Sequence, residues 1–158
     1  MGKGHLITET YHGFVCANAG VDKSNVSNDD LVTLLPEDSD RSAREIRKKI
    51  KDITGKIVGI IVSDTFGRPF REGQLNVAIG IAGLEPIRDR RGEKDLFGYI
   101  LRVKQTAIAD ELASAAELVM GQAAEGIPAA IIRGYSYTVK DKTSIKKVVM
   151  SRDKDLFL

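Results

Sequence analysis

Hydrophobic residues recur at helical spacing in two segments of the chain. Residues 42–54 carry isoleucines on one face, and Ser42 with Glu45 forms a capping-box pattern at the start. Gly55 follows as a stop signal. Residues 106–120 repeat the helical spacing and also run into a glycine. The pattern therefore predicts two main helices.

Strand-like runs surround these helices. Apolar and β-branched runs predict strands at positions 5–10, 13–19, 31–36, 57–63, 76–83 and 129–134. The first two are close enough to form a hairpin, and the 57–63 run contains no charged residue, which is typical of a strand buried on both faces. Gly80 and Gly83 indicate close approach of backbones. We predict one α+β (mixed α/β) domain over 1–158, in which a mixed β-sheet packs with two main helices.

Composition narrows the function class. The 158 residues are 42% hydrophobic and 29% charged, which is typical of a globular protein. The net charge of +2 argues against a nucleic-acid-binding protein. Neither a membrane span nor a secretory signal is predicted, and Cys16 is the only cysteine, so we expect a cytoplasmic protein.

Asp64 and Thr65 follow the apolar run at 57–63. Ligands of open sheets bind beyond the carboxyl ends of buried strands, and an aspartate with a hydroxyl supplies oxygen ligands for Mg²⁺ or Mn²⁺. An aspartate that caps a turn explains the same residues, and this alternative stays open. Arg68 and Arg71 come next, and they suit either phosphate or an ion pair with a nearby carboxylate.

Two loops offer further polar groups. The loop at 18–25 contains Asp22 and Asn25, but it lacks the glycine and glutamate of an EF-hand. Asp22 is therefore a cation ligand only if folding brings it to Asp64. The loop at 121–126 is bounded by glycines, so it either cradles phosphate or ends the preceding helix.

Five stretches together resemble the coenzyme F420-0:gamma-glutamyl ligase family. They are VCANAGVDKSN, SDTFGRPFREGQ, VAIGIAGLEPIRDRRGEKDLFGY, AIADELASAAELVMG and GIPAAIIRG. They follow the family's order from about His5 to Gly134. The resemblance implies an acid–amino-acid ligase that uses GTP to attach L-glutamate to coenzyme F420-0, and then adds gamma-linked glutamates.

The resemblance also implies specific sites. Asp22 and Asp64 would bind one divalent metal, Mg²⁺ or Mn²⁺, and Thr65 and Gln122 would bind a second, with K⁺ as a further candidate cation. Asn25 would contact the nucleotide. The segment that wraps the nucleotide would comprise Met120, Gly121, Gln122, Ala123, Ala124, Glu125, Gly126 and Ile127. No side chain would act as a nucleophile, because the family forms an acyl phosphate and releases GDP and phosphate.

The resemblance implies a homodimer and a longer ligase, of which this chain matches the C-terminal portion. We therefore expect weak GTP binding, or no activity, from the chain alone. Two alternatives stay open: a metal-dependent phosphotransferase or phosphatase that uses Asp64, and a non-catalytic fragment that self-associates through exposed sheet edges.

Overall fold

Antiparallel hairpins and α-helices make up most of the regular structure of the chain. The computed structural model describes residues 6–28 and 30–155. The elements in chain order are β1 (Ile7–Glu9), β2 (Val15–Ala17), α1 (Ser39–Thr54), β3 (Ile60–Arg68), β4 (Arg71–Ala82), β5 (Arg88–Asp89), β6 (Gln105–Thr106) and α2 (Ile108–Met120). Successive strands pair as three two-stranded antiparallel sheets. This arrangement confirms the α+β class, and the hairpin of β1 and β2 is confirmed although His5 lies outside the described residues.

The β3–β4 hairpin organises the core. Both helices pack on β4, and β2 contacts β3 from another side. The buried core cluster consists of Phe14, Ala78, Ile79, Ile81, Leu84, Ala109 and Ile145. These residues come from β4, α2, two loops and the 3₁₀ turn Ile145–Lys147, so the apolar half of β4 joins the helices and this turn around one core.

Helix α1 begins earlier than the capping-box pattern predicts. Its N-cap is Asp38, whose carboxylate accepts a hydrogen bond from the Arg41 N–H at 2.7 Å. The Ser42 hydroxyl donates to the Asp38 carbonyl at 3.2 Å, so Ser42 lies within the first turn. The predicted cap at Ser42 is wrong because an aspartate four residues earlier already accepts an N–H of the first turn. Gly55 ends the helix with φ 70°, as predicted.

Two glycines let α1 lie close to β4, as the sequence predicts. A Cβ atom added to Gly80 would lie 2.4 Å from the backbone of Ser39. One added to Gly83, where φ is +81°, would lie 2.3 Å from the Arg47 guanidinium. Close contact of α1 with the sheet therefore requires a residue without a side chain at position 80.

Carboxylates from both helices accept hydrogen bonds from the backbone of β4. Asp40 accepts from the Ile81 N–H at 2.8 Å and from the Ile145 N–H at 3.1 Å. Asp110 accepts from the Ala78 N–H at 3.0 Å. These contacts satisfy backbone donors that would otherwise be free to pair with another strand.

Asp40→Ala is expected to lower the free energy of unfolding by about 2 kcal/mol, because it leaves the N–H groups of Ile81 and Ile145 buried without an acceptor. Asp40→Asn keeps an acceptor oxygen and should cost less. Urea unfolding of both variants measures the difference. Equal losses in the two variants would contradict the hydrogen-bonding role.

Three strand predictions are wrong. The 57–63 run begins its strand only at Ile60, and the strand continues through Asp64 to Arg68 with its residues half-buried rather than buried on both faces. Residues 31–36 contribute a single bridge, from Thr33 to Asp22. Residues 129–134 form no strand, and Ile131 is 80% exposed. An apolar run becomes a strand only where a partner backbone is available for its hydrogen bonds.

Helix α2 spans Ile108–Met120 and ends at Gly121, whose N–H donates to the Glu117 carbonyl at 2.8 Å, which confirms the predicted helix. In the described part of the chain, neither helix has the length and apolar character required to cross a bilayer.

Candidate functional site

Strand β3 presents Asp64 and Thr65 to opposite faces. The two residues are consecutive and lie inside the strand, opposite Val77 and Asn76 of β4. Successive side chains of a strand point to opposite sides. The prediction that they stand beyond the strand end is therefore wrong, and each residue instead belongs to a separate polar cluster.

Asp64 interacts electrostatically with two neighbouring groups. Partial burial raises the pKa of Asp64, the backbone of Thr65 lowers it in part, and the negative charge of Asp22 raises it further. Burial also raises the pKa of the Cys16 thiol, and the charge of Asp64 adds to this effect. Asp22, Cys16 and Asp64 are thus electrostatic neighbours, although Asp22 lies far from Asp64 in the sequence.

A tight loop fixes Asp22. Its backbone exchanges hydrogen bonds with Thr33, at 3.1 Å and 2.8 Å. Its carboxylate accepts hydrogen bonds from the hydroxyl and the backbone N–H of Ser24, which lower its pKa. The carboxylate therefore stays ionised beside Asp64, and two neighbouring negative charges favour a bound cation.

The Thr65 face contains an amide cluster. The Thr65 hydroxyl donates to Oδ1 of Asn76 at 3.0 Å, and Nε2 of Gln122 donates to the same oxygen at 3.1 Å. The structure therefore brings together the two residues that the resemblance assigns to the second cation, and it joins them through Asn76. Gln122 follows α2 directly, so the end of that helix positions it beside the hairpin.

A groove of about 490 Å³ runs beside the Thr65 face. One wall is the loop after α2, and the facing wall contains Asn25, whose φ of 51° is left-handed. Its lining residues are Asn25, Met120, Gly121, Gln122, Ala123, Ala124, Glu125, Gly126, Ile127 and Pro128. All nine residues that the resemblance assigns to the nucleotide thus line one groove.

The loop after α2 is held by a local hydrogen bond. The carboxylate of Glu125 accepts a hydrogen bond from the Ala123 N–H at 2.8 Å, which lowers the pKa of Glu125. Gly121 has φ +69°, and a Cβ atom there would collide with Glu125. The loop therefore ends helix α2, as one reading of the sequence predicts, and the phosphate-binding reading stays a prediction.

The tip of the β3–β4 hairpin is cationic. Arg68 donates to the backbone carbonyl of Glu72 at 3.0 Å, and Arg68 is paired with Arg71 across the turn. Within residues 6–28 and 30–155, neither arginine forms a salt bridge. Both positive charges therefore remain available to an anion.

The oxygen donors fit a hard divalent cation. Mg²⁺ and Mn²⁺ accept carboxylate, hydroxyl and amide oxygens, and few protein ligands suffice when phosphate supplies the others. Among the residues that the structure describes, no group of three or more His, Cys, Asp or Glu side chains could hold a metal. The candidate ligands are accordingly the pair Asp22 and Asp64 on one face and the neutral oxygens of Thr65 and Gln122 on the other.

Sequence reasoning missed two residues of the site, Asn76 and Glu117. Asn76 is 6% exposed, and its N–H donates to the Glu117 carboxylate at 2.6 Å. A lone amide at the start of the apolar run 76–83 was a usable signal, because buried amides require partners. Glu117 gave no signal, since a glutamate on a helix is usually solvated.

The sequence matches known proteins along most of its length. Residues 1–134 match the family F420-0:Gamma-glutamyl ligase. A protein named coenzyme F420:L-glutamate ligase from Methanothermobacter thermautotrophicus is 52% identical over 158 residues, covering 99% of this chain and 62% of the relative. Relatives with the same name occur in Methanocaldococcus jannaschii (57% identical, 85% of this chain, 53% of the relative) and Methanopyrus kandleri (49% identical, 99% of this chain, 63% of the relative).

This chain thus spans about six-tenths of the length of the curated relatives it matches. The match covers both polar clusters and the groove between residues 25 and 128. The chain belongs to the F420-0:gamma-glutamyl ligase family.

Proposed function

We propose that this chain carries the cation site and part of the nucleotide site of a GTP-dependent ligase that joins L-glutamate to coenzyme F420-0 and then adds gamma-linked glutamates. One observation carries the proposal: Gln122 lines the groove together with Asn25, and Asn76 joins Gln122 to Thr65 by hydrogen bonds. Cation ligands beside a groove suit a nucleoside triphosphate.

Asp22 and Asp64 would hold one divalent cation, Mg²⁺ or Mn²⁺, and Thr65 and Gln122 would hold a second, with K⁺ as a further candidate. A bound divalent cation would offset the charge that develops on the phosphate oxygens during transfer. Asp64 suits this role because burial raises the free energy of its ionised form, and a cation lowers it again.

The proposed reaction has two steps. In the first, a carboxylate oxygen of F420-0 attacks the γ-phosphorus of GTP, and the bond from the γ-phosphorus to the bridging oxygen breaks, giving an acyl phosphate and GDP. In the second, the deprotonated amine of L-glutamate attacks the acyl carbon. The amide bond forms, the bond from the acyl carbon to the phosphate oxygen breaks, and inorganic phosphate leaves with that oxygen and with the proton that the amine loses.

The side chains of this chain bind and orient in these steps. The loop at 120–127 would surround the nucleotide, and its Ala123 N–H, which now donates to the Glu125 carboxylate, would be a donor for phosphate. Arg68 and Arg71 at the hairpin tip would attract the anionic substrates. Positioning of this kind can account for much of an acceleration that needs no protein nucleophile.

We also propose a homodimer in the cytoplasm, where GTP and glutamate are available. The hairpin between β5 and β6 supports self-association, because Leu96 and Phe97 near its end are 91% and 92% exposed. Light scattering measures the association state. A monomer at all concentrations would contradict the dimer and would leave the ligase chemistry unaffected.

The test of the ligase is an assay with millimolar GTP, Mn²⁺, F420-0 and L-glutamate, read by GDP release and by the mass of the product. We expect GDP release that requires both F420-0 and glutamate, and a product heavier by one glutamyl group. Asp22→Asn should lower the rate about 100-fold, since a bound cation supplies several kcal/mol of transition-state stabilisation. GDP release that requires neither F420-0 nor glutamate would favour the phosphatase alternative and refute the proposed ligase activity.

A further inference from the structure

Asn76 joins the two ligands of the proposed second cation. It is 6% exposed in β4, and its Oδ1 accepts hydrogen bonds from both the Thr65 hydroxyl and the Gln122 amide. Its Nδ2 lies 3.4 Å from the Ser63 hydroxyl oxygen, and its carbonyl accepts from Ser114 of α2 at 2.9 Å. A buried amide with this many partners has one fixed orientation.

Glu117 fixes the same cluster from α2. One of its carboxylate oxygens accepts from the Asn76 N–H at 2.6 Å, and the other accepts from Nε2 of Gln122. A single carboxylate therefore ties the backbone of β4 to a side chain of the groove. Hydrogen bonds to an ionised acceptor are stronger than those between neutral groups.

We propose that Asn76 and Glu117 are positioning residues that prepare Thr65 and Gln122 as oxygen ligands. The Thr65 hydroxyl gives its hydrogen to Asn76, so lone pairs on its oxygen remain for a cation. The Nε2 group of Gln122 donates to Asn76 and to Glu117, so Oε1 remains as its acceptor atom. Groups that orient the ligands of a metal in this way tune its affinity.

This inference rests on the proposed function for the identity of the ligand, but the predicted order of the Gln122 amide does not depend on that function. The fixed orientation of the Gln122 amide is a property of the metal-free chain. Helix α2 also offers a matched control: Asp110 accepts from the Ala78 N–H of β4, as Glu117 does from Asn76, and within the described residues it makes no hydrogen bond to Gln122.

The experiment compares Glu117→Gln with Asp110→Asn in two measurements. The first follows the side-chain NH₂ resonances of Gln122 by ¹⁵N NMR in the metal-free protein. The second titrates Mn²⁺ alone and counts binding sites from the signal of free Mn²⁺. Asn76→Ala and Asn76→Asp are added because aspartate keeps the acceptor oxygen that alanine removes.

We expect the Gln122 amide to be ordered in the wild type and in Asp110→Asn, and mobile in Glu117→Gln. The weaker class of Mn²⁺ sites should lose about 10- to 100-fold in affinity in Glu117→Gln and in Asn76→Ala, while Asn76→Asp retains it and the stronger class is unchanged. Loss of the weaker class in Asp110→Asn as well would reveal general destabilisation and overturn the inference.

A mobile Gln122 amide in the wild type would overturn the inference even if two Mn²⁺ ions bind and the ligase assay succeeds. An ordered amide in a wild-type chain that binds no Mn²⁺ would refute the proposed cation sites and with them the positioning role, while the hydrogen-bond network itself would stand. The two failures are therefore distinguishable.

Discussion

Asp64→Asn is expected to lower the affinity of the chain for Mn²⁺ by at least about 100-fold, because groups that merely orient metal ligands already contribute about 10- to 100-fold. The amide that replaces the carboxylate removes one of the two charges that would attract the ion. Calorimetric titration with Mn²⁺ measures the change. Asp52→Asn, at an exposed position of α1, is the matched control and should leave the affinity unaltered.

The same substitution is expected to stabilise the metal-free chain slightly at neutral pH, by less than about 1 kcal/mol after allowance for solvent screening. The pKa of Asp64 is raised, so the folded chain holds this proton more tightly than the unfolded chain does. Stability from this group is present below its ordinary pKa of 3.8 and is lost as pH rises through the raised value.

Asp22 acts in the opposite sense, because its lowered pKa gives a stabilisation that is fully present above its ordinary pKa of 3.8 and is lost as pH falls through the lowered value. The stabilisation by Asp22 therefore changes only below pH 3.8, and the stabilisation by Asp64 changes only above it. Urea unfolding of the metal-free chain between pH 4 and 7 isolates the contribution of Asp64. If Asp64→Asn were less stable than the wild type at pH 7, the proposal that the ionised Asp64 carboxylate destabilises the metal-free fold would be wrong.

Gly80→Ala is expected to lower the free energy of unfolding by about 3 kcal/mol, the upper end of the usual cost of overpacking. A Cβ atom there would lie 2.4 Å from the carbonyl of Ser39, and backbone cannot move aside as a flexible side chain can. Helix α1 would have to leave β4, which also weakens the Asp40 contact to Ile81. Thermal or urea unfolding measures the loss.

Gly67→Ala in β3 is the control for that result. A Cβ atom at Gly67 meets nothing within 4 Å, so the change should remain within about 0.5 kcal/mol. Similar losses in the two variants would show that the close contact between α1 and β4 is not what Gly80 provides.

Local patterns predicted the helices and the first hairpin because those elements depend on neighbours in sequence. The prediction of a strand at 129–134 was wrong because a strand also needs a partner backbone, and none of the described strands pairs with this run. The predicted bounds of β3 were wrong because polar residues such as Asp64 and Thr65 can occupy a hairpin strand whose faces are half-buried.

Only part of the candidate site could be predicted from the sequence. Spacing alone left Asp22 and Asp64 unconnected, and the family resemblance joined them. Neither residue spacing nor the family resemblance pointed to Asn76 and Glu117, because their hydrogen bond links residues 41 positions apart through the packing of α2 on β4. Such pairs depend on tertiary structure, which local sequence patterns do not reveal.

The central claim is that Asp22 and Asp64 hold the same cation, and a double-mutant cycle tests it most directly. Mn²⁺ affinity is measured for the wild type, Asp22→Asn, Asp64→Asn and the double variant. We predict that each single change removes most of the affinity and that the second change adds little to the first. Losses that multiply independently, or single variants that bind Mn²⁺ as tightly as the wild type, would contradict the shared site.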